Sequence, residues 1–168
     1  MVRFRTFSLL VYSFISMDFE YAKKGVCGDN LSWKLDESGT LTISGTGPMY
    51  DYENDCPWSE LEPRRLILEE GITYIGDRSF LDCESLTGGL VLPESLKGIG
   101  RFAFRRCGFT SVEMFDSVES IKMGAFVECN NISRVIYHGS REQWNAISID
   151  AGNDLSLIHI SEPTRRRG

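Results

Sequence analysis

The sequence of 168 residues lacks the features of several common protein classes. It has 18 basic against 24 acidic residues, a net charge of −6, which argues against a nucleic-acid partner because basic surfaces hold phosphate backbones. Its longest apolar run, residues 7–17, is broken by serines and is too short to cross a bilayer. The sequence therefore predicts neither nucleic-acid binding nor a transmembrane segment.

Residues for catalysis are also scarce. The sequence has 2 histidines, and His138 is the one candidate base outside the C-terminal tail. No serine or cysteine is placed by the sequence as its nucleophile, and a histidine next to a turn is more often structural or solvated. The signatures GxxxxGK, HExxH and GxSxG do not occur. We therefore predict that the chain is not an enzyme, with no catalytic residues and no cofactor.

A metal site is not predicted either. The acidic stretch DYENDC lacks the spacing and the glycine of a calcium loop, so we interpret it as a solvated loop. Three of the 5 cysteines, Cys83, Cys107 and Cys129, recur at one repeat position, where they would all point the same way and could not surround zinc. We expect small, buried, free thiols there. A disulfide bridge between Cys27 and Cys56 is the alternative for these two cysteines if the protein is exported.

What the sequence does contain is an internal repeat. Ile75, Ile99 and Ile121 are 24 and 22 residues apart, and the same spacing separates Phe80, Phe104 and Phe126. A period of this length is typical of leucine-rich repeats, whose units cannot bury an apolar side alone and must stack on their neighbours. The fold class predicted is therefore a repeat solenoid.

Each repeat begins with an apolar-x-apolar pair, which predicts a short strand with those two side chains inward. The strands should stack into a parallel sheet. A small residue precedes each core phenylalanine, as expected where coils pack closely. Gly76 and Gly100 are interpreted as turn glycines, and Lys122, at the equivalent position, predicts a distorted third turn. The pairs are Leu66 and Leu68, Leu90 and Leu92, Val112 and Met114, and Val135 and Tyr137.

The flanking segments have the patterns of caps. Residues 31–43 alternate apolar and polar residues around a turn, which predicts a hairpin, and Trp58 is expected to close this N-terminal β cap over residues 26–63. The repeats then occupy residues 64–137. Ser140 with Gln143 forms a capping-box pattern, which predicts a short helix from Arg141 that holds Trp144 inward, within a partial cap over residues 138–154.

The strand alternation also predicts a candidate binding surface. The residues between the buried pairs must face outward, and three of these four are apolar, so the column forms an apolar strip beside two cations. Ordinary β-propensity on an exposed face is the competing explanation. The predicted surface comprises Ile67, Val91, Glu113 and Ile136, with Arg65, Gly89, Ser111 and Arg134 beside them.

Three strings, CGDNLSWKLDESGTLTISGTGPMYDY, EEGITYIGDRSFLDCESL and YHGSREQWNAISIDAGND, closely resemble the BspA-like leucine-rich-repeat proteins. The resemblance implies a right-handed solenoid on a secreted or surface-attached protein, mostly of anaerobic bacteria, with a role in adhesion and protein binding. We expect the sheet face to recognise a protein or a glycan. The resemblance implies no catalytic positions. A structural spacer within a larger adhesin or secreted enzyme is the alternative.

Both ends of the chain depart from this pattern. Arg3 and Arg5 before an apolar run give residues 1–25 the order of a signal peptide, although no cleavage site follows and a mis-called start is the alternative. From Leu155 the string LSLIHISEPTR resembles a translated sequencing adapter, so we interpret residues 155–168 as an artefactual tail. The last coil would then be uncovered and prone to association, unless SLIHI pairs there.

Overall fold

The computed structural model describes residues 23–53, 56–153, 155 and 158–160. Within them the chain winds into a β-solenoid of about 5 turns with little helix, which confirms the predicted fold class. The strands are β1 (Lys23–Gly28), β2 (Leu31–Leu35), β3 (Thr40–Gly45), β4 (Gly47–Pro48), β5 (Arg65–Leu68), β6 (Ile72–Ile75), β7 (Thr87–Val91), β8 (Gly98–Ile99), β9 (Gly108–Phe115), β10 (Ser120–Ile121), β11 (Arg134–His138), β12 (Ser148–Ile149) and β13 (Ile158–Ile160), and helix α1 spans Arg141–Ala146.

Two stacks of parallel strands form two walls of the coil. The first wall has the order β13-β11-β9-β7, and the second has the order β12-β10-β8-β6-β4. Equivalent residues of successive repeats lie opposite each other, as Leu90, Val112 and Val135 do in the first wall. All three are buried. The inward-facing apolar residues predicted from the alternation therefore lie in the core, where equivalent residues of successive strands form columns.

The first strand of the repeat region, β5, belongs to a different sheet from the later ones. It pairs with β3 in parallel, so β3 is both the last strand of the N-terminal hairpin sheet and the first strand of the coil. The predicted parallel sheet is thus confirmed for β7, β9 and β11. The remaining predicted strand, β5, pairs with β3 of the cap instead. The connection from Cys83 to Leu90 is two residues longer than that from Cys107 to Val112 (7 against 5), and the β7–β9 register shifts between Gly88 and Gly89.

The third side of the coil is built on a column of aromatic rings. Trp58 stacks on Phe80 with centroids 5.2 Å apart, Phe80 on Phe104 at 5.2 Å, and Phe104 on Phe126 at 5.3 Å. Backbone hydrogen bonds join the coils alongside, including Phe104 N–H to the Ala125 carbonyl at 2.8 Å. The three residues before the phenylalanines have no exposed surface, which confirms the close packing predicted from their size: Ser79, Ala103 and Ala125.

The explanation offered for Gly76 and Gly100 was wrong. Neither is among the residues with positive φ, so the turn does not need their conformational freedom. A Cβ atom at Gly76 would lie 1.9 Å from the Tyr50 carbonyl oxygen, so the glycine is required by the close approach of two backbones.

The predicted distortion at Lys122 was wrong as well. The turn there keeps the hydrogen bond from Ala125 N–H to the Lys122 carbonyl at 3.2 Å, and the equivalent bond to Gly100 is 3.4 Å long. The left-handed residue of each turn lies two positions later, where φ is 55° at Arg78, 53° at Phe102 and 62° at Gly124.

The C-terminal end of the described chain carries the predicted helix. Ser140 Oγ accepts from Gln143 N–H at 3.2 Å and the Gln143 side chain accepts from Ser140 N–H at 2.7 Å, a complete capping box. Trp144 is partly buried and meets Tyr137 edge-on at 5.2 Å. Beyond it, β13 pairs in parallel with β11, so part of the SLIHI segment lies against the last repeat. Among the described residues, no helix is long and apolar enough to cross a membrane.

Candidate functional site

The outer face of the first wall carries most of the predicted surface. Val91 lies opposite Glu113, and Glu113 opposite Ile136, so the three form one row across β7, β9 and β11. Val91 is 53% exposed, while Glu113 and Ile136 are half-buried. We call this row of three residues the outer row. The structure therefore brings together three of the four residues predicted for the apolar strip.

The fourth residue, Ile67, is exposed but lies on the neighbouring sheet. It is 43% exposed and pairs with Thr42 of the cap. Arg65 is exposed on the same strand, and Arg134 is exposed at the start of β11, where it lies opposite Ser111. The predicted cations therefore lie at opposite ends of the surface, one on each sheet.

Glu113 is not an isolated carboxylate. His138 Nε2 lies 2.6 Å from Glu113 Oε1, in the geometry of a hydrogen bond that the carboxylate accepts. The His138 ring also stacks on Phe115, with centroids 4.8 Å apart and planes 20° apart. The histidine considered as a candidate base is thus held on the outer face by a carboxylate and an aromatic ring.

Phe115 and His138 were not part of the surface predicted from the sequence. They lie opposite each other one step along the strands from the outer row. The same alternation that selects Glu113 and Ile136 selects them, because residues i and i+2 of a strand share a face. Continuing the alternation two residues further along each strand, from Glu113 and from Ile136, would have found both.

The acidic stretch that we considered as a cation site is partly used within the fold. Asp51 Oδ1 accepts a hydrogen bond from the Asp77 backbone N–H at 2.7 Å, and Asp77 Oδ1 accepts from the Arg101 N–H at 2.7 Å. These carboxylates therefore satisfy backbone donors of successive coils. Asp55 lies outside the described residues, and the residues that are described contain no group of three or more candidate metal ligands.

All five cysteines are buried and free. The bridge between Cys27 and Cys56 that the sequence left open is not formed in this structure. Burial raises the pKa of Cys27 and of Cys129 to about 11 in each case, which keeps both as neutral thiols. The Cys129 thiol donates to the Phe104 carbonyl oxygen at 2.9 Å.

Comparison with known proteins places these features in a family. The family model described as "BspA type Leucine rich repeat region" matches residues 58–164 in 6 copies, beginning at Trp58 of the aromatic column. No functionally curated protein matches the chain.

Two solved structures resemble the chain at low sequence identity. One is a leucine-rich repeat protein from Eubacterium ventriosum, at 20% identity and a TM-score of 0.42 over 71% of this chain and 44% of that one. The other is a leucine-rich cell surface protein from Faecalibacterium prausnitzii, at 19% identity and a TM-score of 0.48 over 76% of this chain and 43% of that one. The chain thus spans less than half the length of either.

Proposed function

The chain belongs to the BspA-type leucine-rich-repeat family, and from that premise we propose that it is a non-enzymatic binding module of a secreted or cell-surface protein. Its ligand would be another protein, bound at the outer face of the first wall. The observation that carries the proposal is the outer row, which places Val91 and Ile136 on the outer face of the sheet, on either side of Glu113, instead of in the core.

The composition of the surface supports a protein ligand. Val91 and Ile67 are 53% and 43% exposed, and burying such side chains against a partner releases the water that they order. Arg65 and Arg134 supply charged groups at the edges. Exposed apolar side chains with arginine at the rim are common in protein interfaces, and here they surround a central Glu113–His138 pair.

The hydrogen bond between Glu113 and His138 supports the same interpretation. A lone carboxylate in the middle of an interface would lose its water on binding, which is costly without a partner. Here His138 already satisfies one oxygen of Glu113, at 2.6 Å, and Phe115 covers one face of the imidazole. A ligand that covers the centre of the surface therefore has to supply fewer hydrogen bonds to Glu113 in place of the lost water.

The test compares two double variants in binding to a panel of purified extracellular proteins and to a glycan array. Val91→Asp with Ile136→Asp places two carboxylates on the outer row and should reduce binding at least tenfold, because each would be buried without a partner. Met123→Asp with Ile149→Asp is the matched control, since these residues are 44% and 37% exposed elsewhere on the coil.

The outcomes separate the candidates. Loss of protein binding in the outer-row variant alone supports the proposal. Equal binding by both variants would place the ligand on another surface. Binding to glycans alone would replace the protein ligand by a carbohydrate, and binding to neither class would favour a spacer within a longer protein.

A further inference from the structure

The N-terminal sheet collects basic side chains in a chain that is acidic as a whole. The sequence has 18 basic against 24 acidic residues, yet the four strands of this sheet, β1, β2, β3 and β5, contain basic residues and no acidic one. The basic residues are Lys23, Lys24, Lys34 and Arg65. Acidic residues such as Asp36 and Glu69 follow directly after strands, outside the sheet. Positive charge is therefore concentrated on the strands.

Three of these cations lie on the outer surface of the sheet. Lys34 lies between the buried residues Trp33 and Leu35 of β2, so it faces away from the core. Lys24 lies opposite Lys34 on β1, and Arg65 is the exposed first residue of β5. We call the outer surface of β1, β2, β3 and β5, around Lys24, Lys34 and Arg65, the cap face.

The cations of the cap face have no role within the described fold. None of the three forms an ion pair with a carboxylate of the described residues. Lys24 and Lys34 lie directly opposite each other, and like charges in such a pair destabilise a sheet. A lysine on an edge strand hinders pairing with other chains, but β2 is an inner strand, so this does not account for Lys34. A negatively charged ligand would remove the repulsion.

The rest of the cap face is rich in hydroxyl groups. The Ser32 and Ser44 hydroxyls lie 3.2 Å apart in a hydrogen bond, and Thr42 lies opposite both Lys34 and Ile67 on the neighbouring strands. No aromatic side chain of these strands faces outward, since Trp33 is buried. Protein interfaces are enriched in aromatic residues and depleted in lysine and serine. The composition therefore favours a hydrated, hydroxyl-rich ligand over a protein.

We propose that the cap face binds an acidic polysaccharide, whose carboxylate or sulfate groups contact Lys24, Lys34 and Arg65. Neighbouring strands lie about 4.8 Å apart, so the two ammonium groups reach the same anionic group or two groups of one sugar unit. Arg65 lies two strands from Lys34, where it meets the next part of the polymer. Because the chain is negative as a whole, a polyanion is repelled elsewhere and directed to this surface.

The experiment titrates the full chain with three polymers in a calorimeter. Polygalacturonate carries carboxylates, dextran sulfate carries sulfates, and dextran is the neutral counterpart. We expect one or both of the charged polymers to bind and dextran not to bind, with an affinity that falls as NaCl is raised from about 20 to 200 mM. Lys24→Gln with Lys34→Gln should weaken the binding about tenfold, because two of the three contacting charges are lost.

Lys97→Gln with Arg141→Gln is the matched control. It removes the same two charges from exposed positions outside the cap face, and the affinity should stay as in the parent chain. Melting curves check the fold of both variants, and the Lys24→Gln with Lys34→Gln variant should melt no lower than the parent, since it relieves a like-charge pair. The comparison of the three polymers uses the unsubstituted chain and does not depend on how the variants fold.

Several results would overturn the proposal. These are no binding to either charged polymer, equal binding to dextran, and equal weakening in the two double variants. Polyglutamate bound as tightly as the charged polysaccharides would replace the polysaccharide by an acidic peptide. Lys24 and Lys34 lie outside the outer row, so failure of this site and failure of the proposed protein-binding surface are distinguishable.

Discussion

At the scale of single residues, the aromatic column places four large rings in the core. Phe104 has no exposed surface and lies between Phe80 and Phe126, with ring planes 5° and 16° from parallel. Phe109 meets the same ring edge-on at 5.9 Å. Removal of the Phe104 side chain therefore leaves a cavity with aromatic neighbours on several sides.

We predict that Phe104→Ala lowers the free energy of unfolding by about 3–5 kcal/mol, measured by urea denaturation, because lost burial and an unfilled cavity add together. Phe126→Ala is the matched control. Phe126 is 5% exposed and stacks on one ring of the column instead of two, so its loss should be smaller. Equal losses at the two positions would contradict the role given to stacking between coils.

A second prediction at the scale of residues concerns Gly76, whose role was not predicted correctly from the sequence. Gly76→Ala should lower the free energy of unfolding by about 1–3 kcal/mol, since the new methyl group would meet the backbone of Tyr50 and not a movable side chain. Lys122→Ala, at the equivalent position of a later coil, should change it by less than about 0.5 kcal/mol. A neutral Gly76→Ala in the same thermal or urea assay would show that the two backbones can separate.

At the scale of elements, the turn between β2 and β3 is organised around one carboxylate, that of Asp36. Asp36 Oδ1 accepts from Ser38 Oγ at 2.6 Å and from the N–H groups of Ser38 and Thr40 at 2.9 Å. The Ser38 hydroxyl, and after it the Thr40 N–H, lower the pKa of Asp36. The ionised carboxylate is thus the form that the turn prefers.

A lowered pKa in the fold means that the unfolded chain binds the proton first as the pH falls. The stabilisation by Asp36 is therefore complete above the ordinary aspartate pKa and is lost below about pH 4, as the pH passes through the lowered value. We predict that Asp36→Asn reduces the loss of melting temperature over this acidic range. If the variant and the parent chain lost the same number of degrees, the carboxylate would have no part in it.

The elements also show how far the sequence can be interpreted. Strand alternation predicted which side chains of β7, β9 and β11 face the core, and the serine–glutamine spacing predicted α1, because both patterns depend on local geometry. The sequence could not predict that β5 and β7 belong to different sheets, since this depends on which neighbouring strand each of them pairs with. The connection from Cys83 to Leu90 is two residues longer than that from Cys107 to Val112, and the repeat spacing does not indicate how the additional residues change the pairing.

At the scale of the whole molecule, a solenoid depends on its ends. Each coil buries its apolar side against the next, and the last parallel strand leaves unpaired backbone groups that invite association. In this chain Val135, Ile136 and Tyr137 of β11 lie opposite the three residues of β13. Leu155, just before that strand, is 6% exposed and belongs to the core. The segment therefore covers the edge of the final repeat, whatever its origin.

We predict that a chain ending at Asn153 associates in solution and unfolds over a broader temperature range than the full chain, because it exposes the β11 edge. Light scattering over a range of concentrations and calorimetry measure the two effects. A chain ending at Ile160 is the control, since it keeps β13 and should behave as the full chain does. If the shorter chain stayed monomeric with an equally sharp transition, β11 would need no cover, and the pairing with β13 would contribute little to the stability of the coil.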